Sequence, residues 1–438
     1  METVIAFLVL VGVLIWFHEL GHFLFARIFG VKVEVFSVGF GPPLVTKKVG
    51  DTVYQIAAIP LGGFVKLYGE NERTDDPQAF SSKPPWQRIL IALAGPLFNF
   101  LLTIVLFTAV FSLGVDVPRY MKEPPLVGFV EEDSWADRAG IRSGDRVLSI
   151  GGVETERWED IRRVLIDLMV RDEKRVEVVV LREGKEVRLT TTLPEMETGR
   201  EVLGIHPHLP PVIGGVAERI PGVGLSPAYQ VGLKAGDRIV SVNGKKVESW
   251  YEVVREIRSS GGKPVVLVIL RDGEKITKEV VPAVDPKRRI PVIGISPKVE
   301  TVRESFPLGE AFVKALERTY DLFILTFKVL WGLITGAVSL KTLGGPIAIA
   351  QFAGQAAQSG LVPYLSSMAF ISLQLGIFNL LPLPVLDGGL ILLFLIEMVR
   401  RKPLPDKFKE YWQRVGFALI ISLMVFVVVN DLLRVVGK

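Results

Sequence analysis

The sequence predicts a multi-pass α-helical membrane protein with about four transmembrane helices, a membrane-associated β-hairpin and two inserted α+β domains. Three observations predict it. Apolar residues make up 49% of the 438 residues and collect in long blocks; a bilayer core of about 30 Å needs blocks of roughly 20 residues. Charged residues gather in the middle of the chain, so that part is soluble. The same middle repeats itself at an offset of 92 residues, from Ala139 to Val231, which is a duplicated globular domain rather than a solenoid unit.

Composition excludes several classes. There is no cysteine, so disulfides and thiolate metal sites are absent. The net charge of +4 fits basic loops flanking membrane helices. No basic stripe with interleaved aromatics marks a nucleic-acid site.

The first span is predicted at about residues 3–25. No basic segment precedes it and no small-x-small site closes it, which predicts a retained helix rather than a cleaved signal peptide. A re-entrant hairpin follows at about 53–68, two strand-like runs around Pro60-Leu61-Gly62-Gly63. The second span, about 88–113, holds Gly95-Pro96 and Asn99. A lone asparagine in such a helix reads first as an interhelical hydrogen-bonding group.

The repeated domains are predicted at 115–207 and 210–298. Ala139-Gly140-Ile141 through Gly144-Asp145 matches Val231-Gly232-Leu233 through Gly236-Asp237. Each copy continues into a helix, Asp160 to Met169 and Glu252 to Ser259, and then two strands around Glu183-Gly184 or Asp272-Gly273. Each ends in Gly-Ile-x-Pro. The pattern resembles the PDZ domain, which can capture peptide C-termini or partner segments.

Residues 299–360 are predicted to lie on the membrane surface. Lys314, Glu317, Arg318, Asp321 and Lys328 interrupt the apolar run, and only 12 charge-free residues remain from Val329 to Leu340. The C-terminal membrane region, 361–438, holds a third span at about 361–397 and a fourth at about 415–433. The third is too long for one straight helix and is interrupted from Asn379 to Gly389. The loops after spans one and three are basic, so they face the cytoplasm and the repeated domains face outward.

The chemistry centres on His18-Glu19-Leu20-Gly21-His22. Residues i and i+4 share a helix face, so both imidazoles can reach one metal ion, with the glutamate beside its water. HExxH also arises by chance. Here it interrupts an apolar span, where a charged group costs roughly 2.5–3.5 kcal/mol, and a metal is the compensating partner. A catalytic zinc needs a third protein ligand and an open position. His206 and His208 read as exposed histidines of the linker between the repeats. Asp387 is the only charged residue between Leu361 and Ile396, just after Pro382 and Pro384 break the helix. It is the predicted third ligand. Glu19 is the predicted general base, and Asn379 a donor to the substrate backbone or oxyanion.

Together, His18-Glu19-x-x-His22, Gly95-Pro96-x-x-Asn99 and Asn379-x-x-Pro382-x-Pro384-x-Leu386-Asp387-Gly388 resemble the site-2 protease family of intramembrane zinc metalloproteases. The resemblance covers essentially the whole chain. It implies one Zn2+ held by His18, His22 and Asp387, with Glu19 catalytic and Asn99, Pro382 and Pro384 supporting. It implies that the hairpin, through Gly63, Phe64 and Val65, pairs with an unwound substrate segment. It implies cleavage of a single-span anti-sigma factor in a stress response, in the cytoplasmic membrane, with the PDZ pair as a gate. A non-catalytic PDZ-bearing scaffold leaves Glu19 and Asp387 without a reason. A metal transporter needs more intramembrane ligands and repeated membrane halves.

Overall fold

A computed structural model gives the fold, and it describes residues 2–70, 74–161, 164, 168, 175–192, 204–220, 222–285, 289–335 and 344–435. The chain divides into a membrane unit (Met1–Val115 with Glu304–Val436) and a repeat unit built on Asp116–Arg303. Four helices among the described residues are long and apolar enough to cross a bilayer: Glu2–Ile28, Pro85–Leu113, Leu361–Asn379 and Lys407–Asp431.

In the membrane unit the first and second spans touch backbone to backbone. A Cβ at Gly21 would lie 2.3 Å from the Ala94 carbonyl oxygen, so only glycine permits this approach one turn after His18. The third span locks to the second through hydroxyls: Ser372 Oγ donates to the Asn99 carbonyl at 2.9 Å, and Thr103 Oγ1 to that of Ala369 at 3.2 Å. Near its start Tyr364 donates to the Ala6 carbonyl at 2.6 Å. Its end reaches the HExxH motif, so spans one and three run in the same direction.

The predicted hairpin moves. The tight turn is Gly50-Asp51, between strands Val33–Val49 and Thr52–Leu67, closed by Val49 opposite Thr52. Gly50 has φ 59°, the conformation that a glycine-first hairpin turn requires. The second strand then curls. Phe36 partners both Tyr54 and Val65, and Ser37 both Gln55 and Phe64. The runs predicted to pair with each other therefore flank Val35–Val38 instead. Gly62-Gly63 is not a hairpin turn. A Cβ at Gly63 would meet Ile15 Cγ2 at 2.7 Å and Glu19 Cγ at 2.9 Å, so glycine is there for close approach.

The segment predicted at 299–360 to lie on the membrane surface is helical and packs on the spans. It contains two helices, Leu308–Thr335 and Pro346–Gln358; residues 336–343 of the prediction lie outside the described residues. The first buries a stripe of Ala311, Ala315, Thr319 and Thr326 with Leu322 among them, and joins a core with Phe107, Ala369 and Leu373 of spans two and three. The second is held at its N-terminus by Asp431 of the last span, whose carboxylate accepts from the amides of Gly345, Ile347 and Ala348 at 3.0–3.1 Å. An anion there satisfies orphan amides and the helix dipole.

The repeat unit contains two PDZ domains of one topology. The first copy orders its strands Val153–Glu154, Arg146–Ile150, Arg175–Arg182, Lys185–Thr192; the second orders Lys245–Lys246, Arg238–Val242, Val265–Arg271, Glu274–Val280. Their hairpins turn at Glu183-Gly184 and Asp272-Gly273, all four residues with positive φ. The helix of the second copy, Trp250–Ser259, starts in a capping box of Ser249 and Glu252. Of the helix predicted over Asp160 to Met169, only Asp160, Ile161, Val164 and Leu168 are described. One ion pair repeats: Arg182 grips Asp145 and the Gly140 carbonyl, as Arg271 grips Asp237 and the Gly232 carbonyl. His206 departs from its predicted exposure. It sits in strand Ile205–Pro207, 6% exposed, stacked on Tyr251 of the second copy at 4.2 Å. Burying an aromatic face between the copies outweighs the polar ring. His208 is exposed.

Candidate metal centre and active site

The first span continues as helix through the motif, so His18 and His22 project from one face. Each ring is fixed by its Nδ1. His22 Nδ1 donates to the Ile91 carbonyl at 2.8 Å, and His18 Nδ1 lies 2.9 Å from the Asn99 amide. Asn99 Oδ1 is buried without an aligned partner in this orientation. Turned end for end, the amide oxygen accepts from His18 Nδ1–H. Either ring then presents Nε2 to the third residue. The Nε2 atoms are 3.3 Å apart.

The third residue is Asp387. The third span ends at Asn379, and helix Asp387–Arg400 begins after the break, so the predicted 361–397 span is two helices. Val385, inside the break, has φ 78°, a strained conformation for a β-branched residue. The break delivers Asp387 to the histidines: Oδ2 is 3.2 Å from His18 Nε2, and Oδ1 is 3.5 Å from His22 Nε2. Asp387 Oδ2 is buried and accepts no aligned hydrogen bond. Among the described residues, His18, His22 and Asp387 are the one cluster able to hold a metal ion, with ligand atoms within 4.8 Å of one another. Two imidazole nitrogens, a carboxylate and an orphaned carboxylate oxygen suit zinc.

Beside the cluster lies a cavity of about 510 Å³, lined by Glu19, Gly63, Phe64, Val65 and Asn379 among others. Glu19 is 7% exposed, next to the ligands but outside their set. Gly63, Phe64 and Val65 run along one wall, with Phe64 stacked on Phe40 at 6.3 Å. Pro384 of the break is wedged against Gly416 of the last helix, Asp406–Val435. Pro382 lies in the same break on the exposed side.

Several members of the site carry no signal in the sequence. The Ile91 carbonyl is a backbone atom. Gly95 belongs to the Gly-Pro-x-x-Asn motif, yet nothing in that motif tells that its Cβ would stand 2.3 Å from His22 Nε2. Glu70, also on the cavity wall, looks like any loop acid. The helix carrying Asp387 is anchored by Glu397, paired with Arg88 and Lys409 at 2.9 Å each. Its charge could have been found as a buried acid in an apolar run.

The profile of Peptidase family M50 matches residues 6–423. The chain belongs to peptidase family M50. It is a zinc metallopeptidase of the site-2 protease type. Curated relatives align over nearly their whole length. Protease RseP of Yersinia pestis is 39% identical, and regulator of sigma-E protease RseP of Escherichia coli 38%, each over 98% of both chains. A Vibrio cholerae protein whose name proposes a zinc metalloprotease is 37% identical over the same shares. A non-catalytic scaffold therefore does not describe this M50 peptidase.

Proposed function

We propose that this M50 peptidase cuts a peptide bond within or near the transmembrane segment of a single-span membrane protein. The observation that carries the reading is the convergence of His18, His22 and Asp387 beside Glu19 and a cavity, on helices long and apolar enough to cross a bilayer or adjoining them. Zinc would be held by His18 Nε2, His22 Nε2 and an Asp387 carboxylate oxygen, and when bound it supplies a Lewis acid. Glu19 takes the proton of the attacking water and passes it to the leaving amine. Asn379 donates to the oxyanion or to the substrate backbone. Asn99 and the Ile91 carbonyl keep the imidazoles oriented.

A helical substrate must unwind to be cut. The strand at Gly63–Val65 would receive the unwound segment by strand addition. The substrate class is an anti-sigma factor, supported by relatives named as regulators of sigma-E protease. The enzyme would sit in the cytoplasmic membrane with its PDZ pair outside, gating access, and its active site toward the cytoplasm. Loop charge supports that orientation.

The test is Glu19→Gln in full-length protein reconstituted in liposomes with a single-span substrate. The variant keeps zinc, and cleavage falls at least about a thousandfold, since the general base is lost and binding is not. Undiminished cleavage by this variant sinks the mechanism.

A further inference from the structure

We propose that Glu70 sets the register in which a substrate strand is held, and so selects which peptide bond is cut. The proposal deepens the strand-addition reading and rests on it. It starts from the run Gly63–Leu67, which pairs with Val33–Val38 on one side. Its other edge faces the cavity that contains His18, Glu19 and Asp387.

The direction of each amide along that edge can be assigned. Tyr68 N–H donates to the Lys32 carbonyl at 2.9 Å, so Tyr68 points into the sheet. Backbone groups alternate along a strand. Leu67, Val65 and Gly63 therefore turn their N–H and C=O groups outward. Of these three, Leu67 is already engaged by one residue. Its N–H donates to Glu70 Oε2 at 3.4 Å, and its carbonyl accepts from Glu70 N–H at 3.3 Å. Gly69, with φ 67°, makes the turn that brings Glu70 back. Its Cβ would stand 2.5 Å from Ala79 Cβ, so the turn is confined.

The open edge is thus Gly63 and Val65, closed at Leu67 by the Glu70 turn. Gly63 abuts Glu19, so the open pairing positions lie at the general base. A substrate strand can slip only by two residues if its side chains are to keep their faces, a movement of roughly 6.6 Å. That shift would bring a different peptide bond to the reacting groups. Glu70 acts as a positioning residue: it denies the strand the next pair of groups and so denies it the slipped register.

The test maps product termini by mass spectrometry. Full-length zinc-loaded protein in liposomes is given a Leu-rich single-span peptide with a central Ser-Gly pair. Wild type gives one dominant cut. Glu70→Ala frees the Leu67 N–H, while the backbone bond from residue 70 to the Leu67 carbonyl stays, and adds a second cut two residues away, carrying at least about a quarter of the product. Glu70→Gln, whose amide oxygen still accepts from Leu67, restores the single cut. Val65→Pro removes an outward N–H and lowers cleavage more than about tenfold with zinc retained. An unchanged cut pattern in Glu70→Ala beside a crippled Val65→Pro overturns the register role alone. Wild-type cleavage by Val65→Pro overturns strand addition beneath it, and a peptide that the wild type leaves uncut overturns the proposed function on which both rest.

Discussion

At the scale of single residues, the site depends on atoms that hold the imidazoles as much as on the ligands. Nδ1 of each histidine is anchored, so the free energy of orienting the rings is spent in folding rather than in binding metal. Asn99→Ala removes one anchor and leaves the ligands in place. Zinc affinity should fall about 10–100-fold, as measured by competition with a chromogenic chelator; unchanged affinity would mean the amide has no part in the site. Gly95→Ala should act more harshly, because a methyl group cannot stand 2.3 Å from His22 Nε2. His18, Glu19, His22 and Asp387 were legible in the sequence because ionisable residues are out of place in apolar spans. The Ile91 carbonyl and Glu70 were not, and Gly95 stood out only as part of the Gly-Pro-x-x-Asn motif, without its packing role. A backbone oxygen and a loop acid look the same whether or not a site needs them.

At the scale of elements, spans one and two and the break before Asp387 were readable from hydropathy and from proline. The hairpin was misplaced for a physical reason. Two glycines in a strand can mark a turn or a close approach, and sequence does not distinguish them. Gly62-Gly63 serves the approach to Glu19, while the turn falls at Gly50-Asp51. Within 299–360 an amphipathic helix was legible, but its charges hid how it packs on spans two and three. A stripe of alanines and threonines suffices to pack on other helices in a membrane, and the charges of Leu308–Thr335 occupy its other faces. In the second PDZ domain, burial alone would raise the Asp237 carboxyl. The Arg271 guanidinium and the Lys234 amide outweigh it and hold it below the usual carboxylate range. An unfolded aspartate takes up its proton near pH 4, so the pair's contribution is present above about that pH. It is lost as pH falls through the lower folded value. Asp237→Asn should lower the calorimetric midpoint of the repeat unit by about 5 °C or more at neutral pH, and the gap to wild type should close below pH 4. A gap independent of pH would place the effect elsewhere.

At the scale of the whole molecule, the duplicated PDZ domain was plain because the two copies share the Gly-Asp motif, a hairpin turn and the Gly-Ile-x-Pro ending. His206 shows the limit of that reading. Its neighbours in sequence suggest a linker, whereas strand pairing with Phe129, stacking on Tyr251 and a Glu131 partner for Nε2 bury it. The orientation of the repeat unit is a separate matter, argued from loop charge. A cysteine at Lys263, in a protein with no other, should react with an impermeant maleimide in intact cells. Labelling only after permeabilisation would reverse the topology.

The account's central claim is that a carboxylate some 370 residues from the HExxH motif completes one zinc site. The most direct measurement is the zinc content of purified Asp387→Asn beside wild type, by mass spectrometry of the metal. The account predicts about one zinc per chain in wild type and well under half in the variant. Full stoichiometry in Asp387→Asn would contradict it and assign the third ligand to another residue.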